Sequence, residues 1–342
     1  MKYLSYNQVS LLPKKSIVQT RSECIVQSEF LGRLINFPVM PANMRASIDF
    51  EKAKWLSENG YPYSLHRFYD YEEIFEWIRN NQNLSLISIT IGVQQKDKEF
   101  LNRIVNSNLR VDWITIDEAH GHSIRMESMI YYIKSLVFLE KLKALSYSSV
   151  RGPVVAKRRF YPKIIAGNVA TSEAVKDLAD WGADAIKVGI GQGATCSTRL
   201  KTGFGAPMFT CIKECSKRAN VPIIADGGIK EYGDAAKALV AGATIVMAGS
   251  IFAKCNDSPA EDFYVGDYNI KIGKLYKKWY GSASEHNKGE KKHVEGFEVT
   301  AESNGLTYAE MYEEWAQALK SSISYAGGYD LESIKKVDWV EL

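Results

Sequence analysis

Eight short apolar, β-rich runs, each ending in small or polar residues, recur along this 342-residue chain and constrain its fold more than any other feature. They are INFPVMPANM (35–44), YPYSLHR (61–67), LSLISITIGV (84–93), VDWITIDEAHG (111–121), KIIAGNVA (163–170), DAIKVGIG (184–191), VPIIADGG (221–228) and TIVMAGS (244–250). Between them lie amphipathic stretches such as FEKAKWLSENG, YEEIFEWIRNNQ, SEAVKDLADWG and YGDAAKALVAG, several closing on a glycine that can serve as a helix C′ residue. Eight strand-then-helix units predict an α/β chain folded as a single parallel (β/α)8 TIM barrel. A doubly wound open sheet would also alternate strands and helices, but it explains less. No G-x-G-x-x-G follows the first run, whereas polar and glycine residues stand at the C-terminal ends of nearly all eight, where a barrel assembles its active face.

Parts of the chain fall outside the repeat. Residues 1–30 form an N-terminal extension expected to pack across the bottom or side of the barrel. Between the fourth and fifth strands lies a long connection, with an insertion at 137–160: a helix over 123–145, then SYSSVRGPVVAKRRFYPK, whose last thirteen residues hold five basic and no acidic side chains. Helix-to-strand loops lie on the face away from catalysis, so this segment reads as a solvated loop. After the eighth strand, the polar stretch to Asn304 reads as a flap over the active face, spanning 267–304. A helix over about 308–322 and a tail complete a C-terminal segment, 305–342.

A chain with 46% hydrophobic residues and a formal net charge of +3, from 43 basic and 40 acidic side chains, has no default affinity for nucleic acid. No stretch approaches the roughly 18–20 uninterrupted apolar residues of a membrane span, and the start lacks the apolar core of a signal peptide, so a cytoplasmic protein is expected. Five cysteines, Cys24, Cys196, Cys211, Cys215 and Cys255, are odd in number and widely spread, which is not a disulfide framework. Cys211 and Cys215 share a helix face and read as packing residues.

Cys196 differs from the others. It sits in IKVGIGQGATCSTRLKTGFG, with Gly189, Gly191 and Gly193 before it and Ser197, Thr198 and Arg199 after it. A thiolate is a soft, strong nucleophile, and a loop of exposed N–H groups can lower a thiol's pKa. Gly191, Gly193, Gly227, Gly228 and Gly249, at the ends of strands six to eight, remove side chains where backbone N–H groups could close on a phosphate, and Asp226 beside them suits ribose hydroxyls. A nucleoside monophosphate satisfies both; turn glycines and a helix cap would account for the same residues without a ligand. The pair His120 and His122 after Asp117, with His66, permits a metal site of the kind found in barrel hydrolases, but substrate or cofactor contact is the preferred reading.

Taken together, PANMRASID, ENGYPYSLHRF, ITIDEAHGHS, IIAGNV, the cysteine loop, IIADGGI, KLYKKWYGSASEHNKGEKKHVEG and SSISYAGG resemble the GMP reductase family, in particular its Gram-positive bacterial form. The resemblance covers nearly the whole chain and is interrupted chiefly around 137–160. It implies reduction of GMP by NADPH to IMP, ammonia and NADP, with Cys196 adding to C2 of the purine as a covalent thioimidate and Thr198 and Glu295 handling the proton that lets ammonia leave. It places Gly193, Gly228, Gly249 and Ser250 at the phosphate, with Ala194 and Gly227 in the same cradle and Asp226 on the ribose. Ala283, Lys292 and Gly296 fall at the base or flap; Arg67, Asp117 and Ala119 at the nicotinamide. Ser321 and Tyr325 match a tail that reaches the NADPH of a neighbouring subunit, which implies a homotetramer. The carbonyls of Gly191, Gly193 and Cys196 match a monovalent-cation (K+) set. Gln192 stands where proline is usual and Ala194 where relatives often have serine or lysine, so one phosphate contact is expected to be missing.

Three rivals are kept. IMP dehydrogenase, oxidising IMP with NAD to XMP, shares the cysteine chemistry, but residues 67–84 are too short for its paired regulatory domain and the flap lacks an Arg-Tyr dyad. A silent purine-nucleotide-binding protein would not need Cys196, Thr198 and Glu295 together. A metal-dependent hydrolase comes third.

Overall fold

The computed structural model describes residues 2–151, 160–267, 272–288 and 295–342. Its centre is a parallel sheet in which seven strands are hydrogen-bonded in the order Val39–Pro41, Ile245–Ala248, Ile223–Asp226, Ala185–Val188, Phe160–Val169, Val111–Asp117 and Ser88–Ile91. The remaining run, YPYSLHR, contributes a single parallel bridge, Leu65 to Ile89, in which Leu65 N–H donates to the Ser88 carbonyl and Thr90 N–H donates to that of Leu65. The architecture is the (β/α)8 barrel expected from the sequence. Most strands are shorter than their apolar runs because the polar ends of each run leave the sheet and form the loops of the active face.

The helices follow from local signals. Asp49 accepts the Lys52 N–H at the start of Phe50–Glu58, and Thr171 accepts that of Ala174 at the start of Ser172–Trp181. Three of the predicted closing glycines, Gly60, Gly182 and Gly242, take positive φ. The fourth helix runs to Arg151, beyond the predicted end, and the fifth strand starts at Phe160. Most of the basic loop lies outside the described residues.

The eighth helix of the ring, Tyr308–Tyr325, is separated from the eighth strand by the segment read as a flap. Two strands of that segment, Ile272–Tyr280 and Glu298–Glu302, join Glu261–Asp267 just before it in a three-stranded antiparallel sheet. The alternation in KLYKKWY accounts for it. Lys277 and Trp279 turn inward, Lys277 onto Asp262 and the Ser258 carbonyl, Trp279 into a small apolar cluster with Ala46, Ala253 and Ala260.

A hairpin that starts at the end of the N-terminal extension packs at the lower mouth. The hairpin of Ser28–Phe30 and Arg33–Ile35 sets Phe30 edge-on to Trp113, and Arg33 reaches the Ser85 carbonyl and Asp112 at the starts of two strands. Val9–Leu11 pairs with Trp339–Glu341, tying the two ends of the chain together. Trp315 closes the helical ring: it is fully buried, packs against Phe37, Tyr232 and Phe252, and donates to the Tyr232 carbonyl at 3.1 Å. Trp315→Ala is expected to lower unfolding stability by about 3–5 kcal/mol, read from the midpoint of chemical denaturation. An unchanged midpoint would mean that the last helix does not unfold with the barrel.

Candidate active site

The upper half of the barrel interior is polar. Ser64 bonds to the hydroxyls of Thr90 and Thr115 at 2.9 Å each, and Asn43 donates to Thr90 at 3.3 Å. Above this belt Lys187, only 2% exposed, extends inward from the sixth strand. Its ammonium donates to Asp117 at 2.7 Å and to Asp226 at 2.9 Å, so one cation joins two carboxylates from the fourth and seventh strands. Gly167 makes room for it, because a Cβ there would lie 2.5 Å from the Lys187 Cβ. Burial opposes ionisation of Asp117, but Lys187 and Arg67 outweigh it and hold the carboxyl below its ordinary range. Burial likewise opposes the Lys187 charge, and the two aspartates reverse the balance and raise its pKa. Asp226 is fixed further by the Asn168 amide at 2.8 Å.

The cysteine loop starts beside this triad. Gly189 takes φ +146°, and a Cβ there would meet the Asp226 carbonyl oxygen at 1.9 Å, so the loop leaves the strand in close contact with the neighbouring strand end. Cys196 N–H returns to the Gly193 carbonyl at 3.0 Å. The thiol donates to the Thr198 hydroxyl at 3.2 Å, and that hydroxyl donates to Glu295 Oε2 at 2.6 Å.

Glu295 is far from Cys196 in sequence, and the backbone brings it in. Cys196 and Gly296 form an antiparallel bridge, Ser197 N–H donates to the Glu295 carbonyl, and Phe297 N–H donates to that of Thr195. Glu295 N–H in turn donates to the Ala283 carbonyl. Gly281 and Gly296 permit this packing, since a Cβ on Gly281 would lie 2.7 Å from the Thr195 oxygen and one on Gly296 would lie 2.9 Å from Ser284 N.

A cavity of about 960 Å³ opens over these groups. Of the residues chosen from sequence, Cys196, Thr198, Glu295, Gly191, Gly193, Asp226, Gly227, Ala283, Arg67, Asp117 and Ala119 line it. Gly228, Gly249 and Ser250 are outside its lining. Gly228 N–H donates to the Gln192 carbonyl at 3.2 Å, and Gly249 and Ser250 begin the short helix Ser250–Ala253. Ala194 is exposed on the loop, and Gly296 is in the bridge beneath it. Lys292 lies outside the described residues. Ser321 and Tyr325 face away from the chain's own cavity, where Arg21 donates to both and its guanidinium stands over the Tyr325 ring.

The histidines are placed elsewhere than a shared metal site would need. His122 bonds to Asp177 at 2.9 Å, on the helix after the fifth strand. His66 is buried against Tyr69 and accepts the Phe68 N–H; burial, then Arg45, pushes its pKa down to about 3, which keeps the ring neutral. His120 lines a second cavity of about 820 Å³ that shares Ala119, Ile190, Thr198 and Glu295 with the first. Cys211 and Cys215 are buried packing residues, as expected.

Sequence reading missed Lys187 and Asn168. Only the lone lysine inside the β-branched run AIKV, and the asparagine closing IIAGNV, marked them.

A (β/α)8 barrel whose active face joins a thiol, a hydroxyl and a carboxylate is that of an enzyme equipped for nucleophilic chemistry. The chain belongs to the IMP dehydrogenase / GMP reductase family: the family model described as IMP dehydrogenase / GMP reductase domain matches residues 3–341. Among its curated relatives, the GMP reductase of Staphylococcus carnosus is 43% identical over 345 residues, covering 99% of this chain and 96% of that protein. The GMP reductase of Bacillus licheniformis is 44% identical over 338 residues, 98% of this chain and 94% of its own. That of Acidovorax ebreus is 42% identical over 345 residues, spanning all of this chain and 97% of the relative.

Proposed function

We propose that the chain is an NADPH-dependent GMP reductase that converts GMP to IMP and ammonia. The observation that carries this reading is the continuous thiol–hydroxyl–carboxylate chain from Cys196 through Thr198 to Glu295. Reductive deamination needs a nucleophile for C2 and a proton for the departing amine at the same carbon, and this chain supplies both.

Cys196 Sγ adds to C2 of GMP and its proton passes to the Thr198 hydroxyl, which is already bonded to Glu295. The protonated 2-amino group leaves as ammonia, so a C–S bond replaces a C–N bond and the base remains as a thioimidate on Cys196. Bound NADPH supplies the hydride that reduces C2. Collapse of the C–S bond then releases IMP and the thiolate, and because the original thiol proton has left with the ammonia through Thr198 and Glu295, a proton taken up from solvent restores the thiol.

The wall formed by Arg67, Asp117, Ala119 and Asn168 fits the nicotinamide. Arg67 Nε and Asn168 Oδ1 are buried there without a protein partner among the described residues, a donor and an acceptor on the side where a carboxamide offers both. Lys187 and Asn168 hold the Asp226 carboxylate in place for ribose hydroxyls. The Gly193 carbonyl already accepts the Cys196 N–H, which leaves it one lone pair for a monovalent cation, and no step runs through such an ion.

Ser321 and Tyr325, remote from their own cavity, are assigned to a neighbouring subunit's NADPH in a homotetramer. Among the described residues no helix is long and apolar enough to cross a membrane. Glu295→Gln is expected to lower kcat about 10²–10⁴-fold in GMP-dependent NADPH oxidation, because an amide cannot hold the proton. A wild-type-like rate would remove Glu295 from the proton path, and XMP formation from IMP and NAD by the native protein would replace the reductase reading with a dehydrogenase.

A further inference from the structure

The cradle next to Cys196 is short of donors. Gly228 N–H is taken by the Gln192 carbonyl, and Ala194 has no side-chain donor. At the same place Gln192 Nε2, a group with two N–H donors, is buried without a partner among the described residues. The Gln192 residue lines the Cys196 cavity, and its Cβ stands 3.4 Å from the position a Cβ on Gly227 would occupy. Its backbone is fixed by the bond from Gly228, so the side chain starts between the cysteine loop and the end of the seventh strand. A buried donor left unpaired is costly, and native proteins pair such groups with protein, water or ligand.

We propose that the Gln192 side-chain amide is a substrate-positioning donor to the 5′-phosphate of the bound purine nucleotide, taking the place of the donors this loop lacks. The inference rests on the reading of the cavity as a GMP site. It makes Gln192 specific for the phosphate and indifferent to the base, since Cys196, joined through Thr198 to Glu295, lies on the opposite side of Gly193 along the loop.

The test is equilibrium binding of GMP and of guanosine, without cofactor, to the native protein and to the Gln192→Met and Gln192→Glu variants, with thermal melting to establish that each variant folds. Gln192→Met should weaken GMP roughly ten- to a hundredfold, the scale of one hydrogen bond to a charged group, and leave guanosine unchanged. Gln192→Glu should weaken GMP further by repulsion and still leave guanosine unchanged. Equal losses for both ligands, or unaltered GMP binding in a folded variant, would overturn the assignment while leaving the reductase reading intact. A native protein that binds neither ligand would overturn both.

Discussion

Cys196→Ala is expected to abolish GMP-dependent NADPH oxidation, with kcat falling by a factor on the order of 10⁴ or more. The loss is large because the sulfur is the only route to the covalent base. Thr198 and Glu295 are placed to move a proton to and from that sulfur and have nothing to serve without it. GMP binding should persist, since the phosphate and ribose contacts proposed for Gly193, Gln192 and Asp226 do not involve the sulfur. Absorbance at 340 nm, ammonia release and GMP titration, run on the same preparations, separate these effects. Retained turnover in the variant would show that the barrel reduces GMP without a thiol adduct, and the roles given to Thr198 and Glu295 would fall with it.

Lys187→Met should produce the second largest effect and the most diagnostic one. Removing one member of a buried charge network costs about 3–5 kcal/mol, chiefly because the remaining charges are left uncompensated. Here the remainder is two carboxylates, Asp117 and Asp226, that now share one lysine.

The pH dependence has a definite sign. In the native protein Asp117 is held below its ordinary range, so its stabilising effect is full above the unfolded value of about 4 and is lost only as pH falls through the lower folded value. The lysine, raised by both carboxylates, contributes throughout neutral pH and fades only in strong alkali. Without the ammonium, burial acts unopposed by the nearest cation and Asp117 moves upward. The acid limb of kcat/KM should therefore shift to higher pH, and the stability deficit should shrink as pH is lowered toward about 4. Adding Asp117→Asn should recover part of the lost stability. A Lys187→Met protein with native stability and an unmoved acid limb would show that the lysine does not set the charge of this site.

The barrel was legible because its cause is local. Each strand carries its own apolar run, most helices their own cap or closing glycine, and eight such units leave few ways to bury every strand on both faces. Cys196 was legible for a related reason: a thiol set among glycines, serine and threonine has no packing role to explain it. The strand inside the flap segment was not legible because KLYKKWY is mostly polar, and only the inward turn of Lys277 and Trp279 sets its alternation.

What the sequence could not reveal is anything set by distance across the fold. Nothing in the residues around Glu295 announces Thr198, and only the family resemblance paired them. The two meet because Gly281 and Gly296 let the returning chain lie against the cysteine loop. Lys187 reads as an intruder in an apolar strand until the barrel closes and brings Asp117 and Asp226, from two other strands, within hydrogen-bond reach. Gln192 reads as a departure at a turn until the amide is seen buried beside Gly227. Periodicity and residue type determined the fold and singled out Cys196, because both depend on neighbours in the chain. The ionisation of the site and the partners of its proton path were decided only by tertiary structure, because electrostatic and hydrogen-bond energies depend on separations in space that no spacing in sequence encodes.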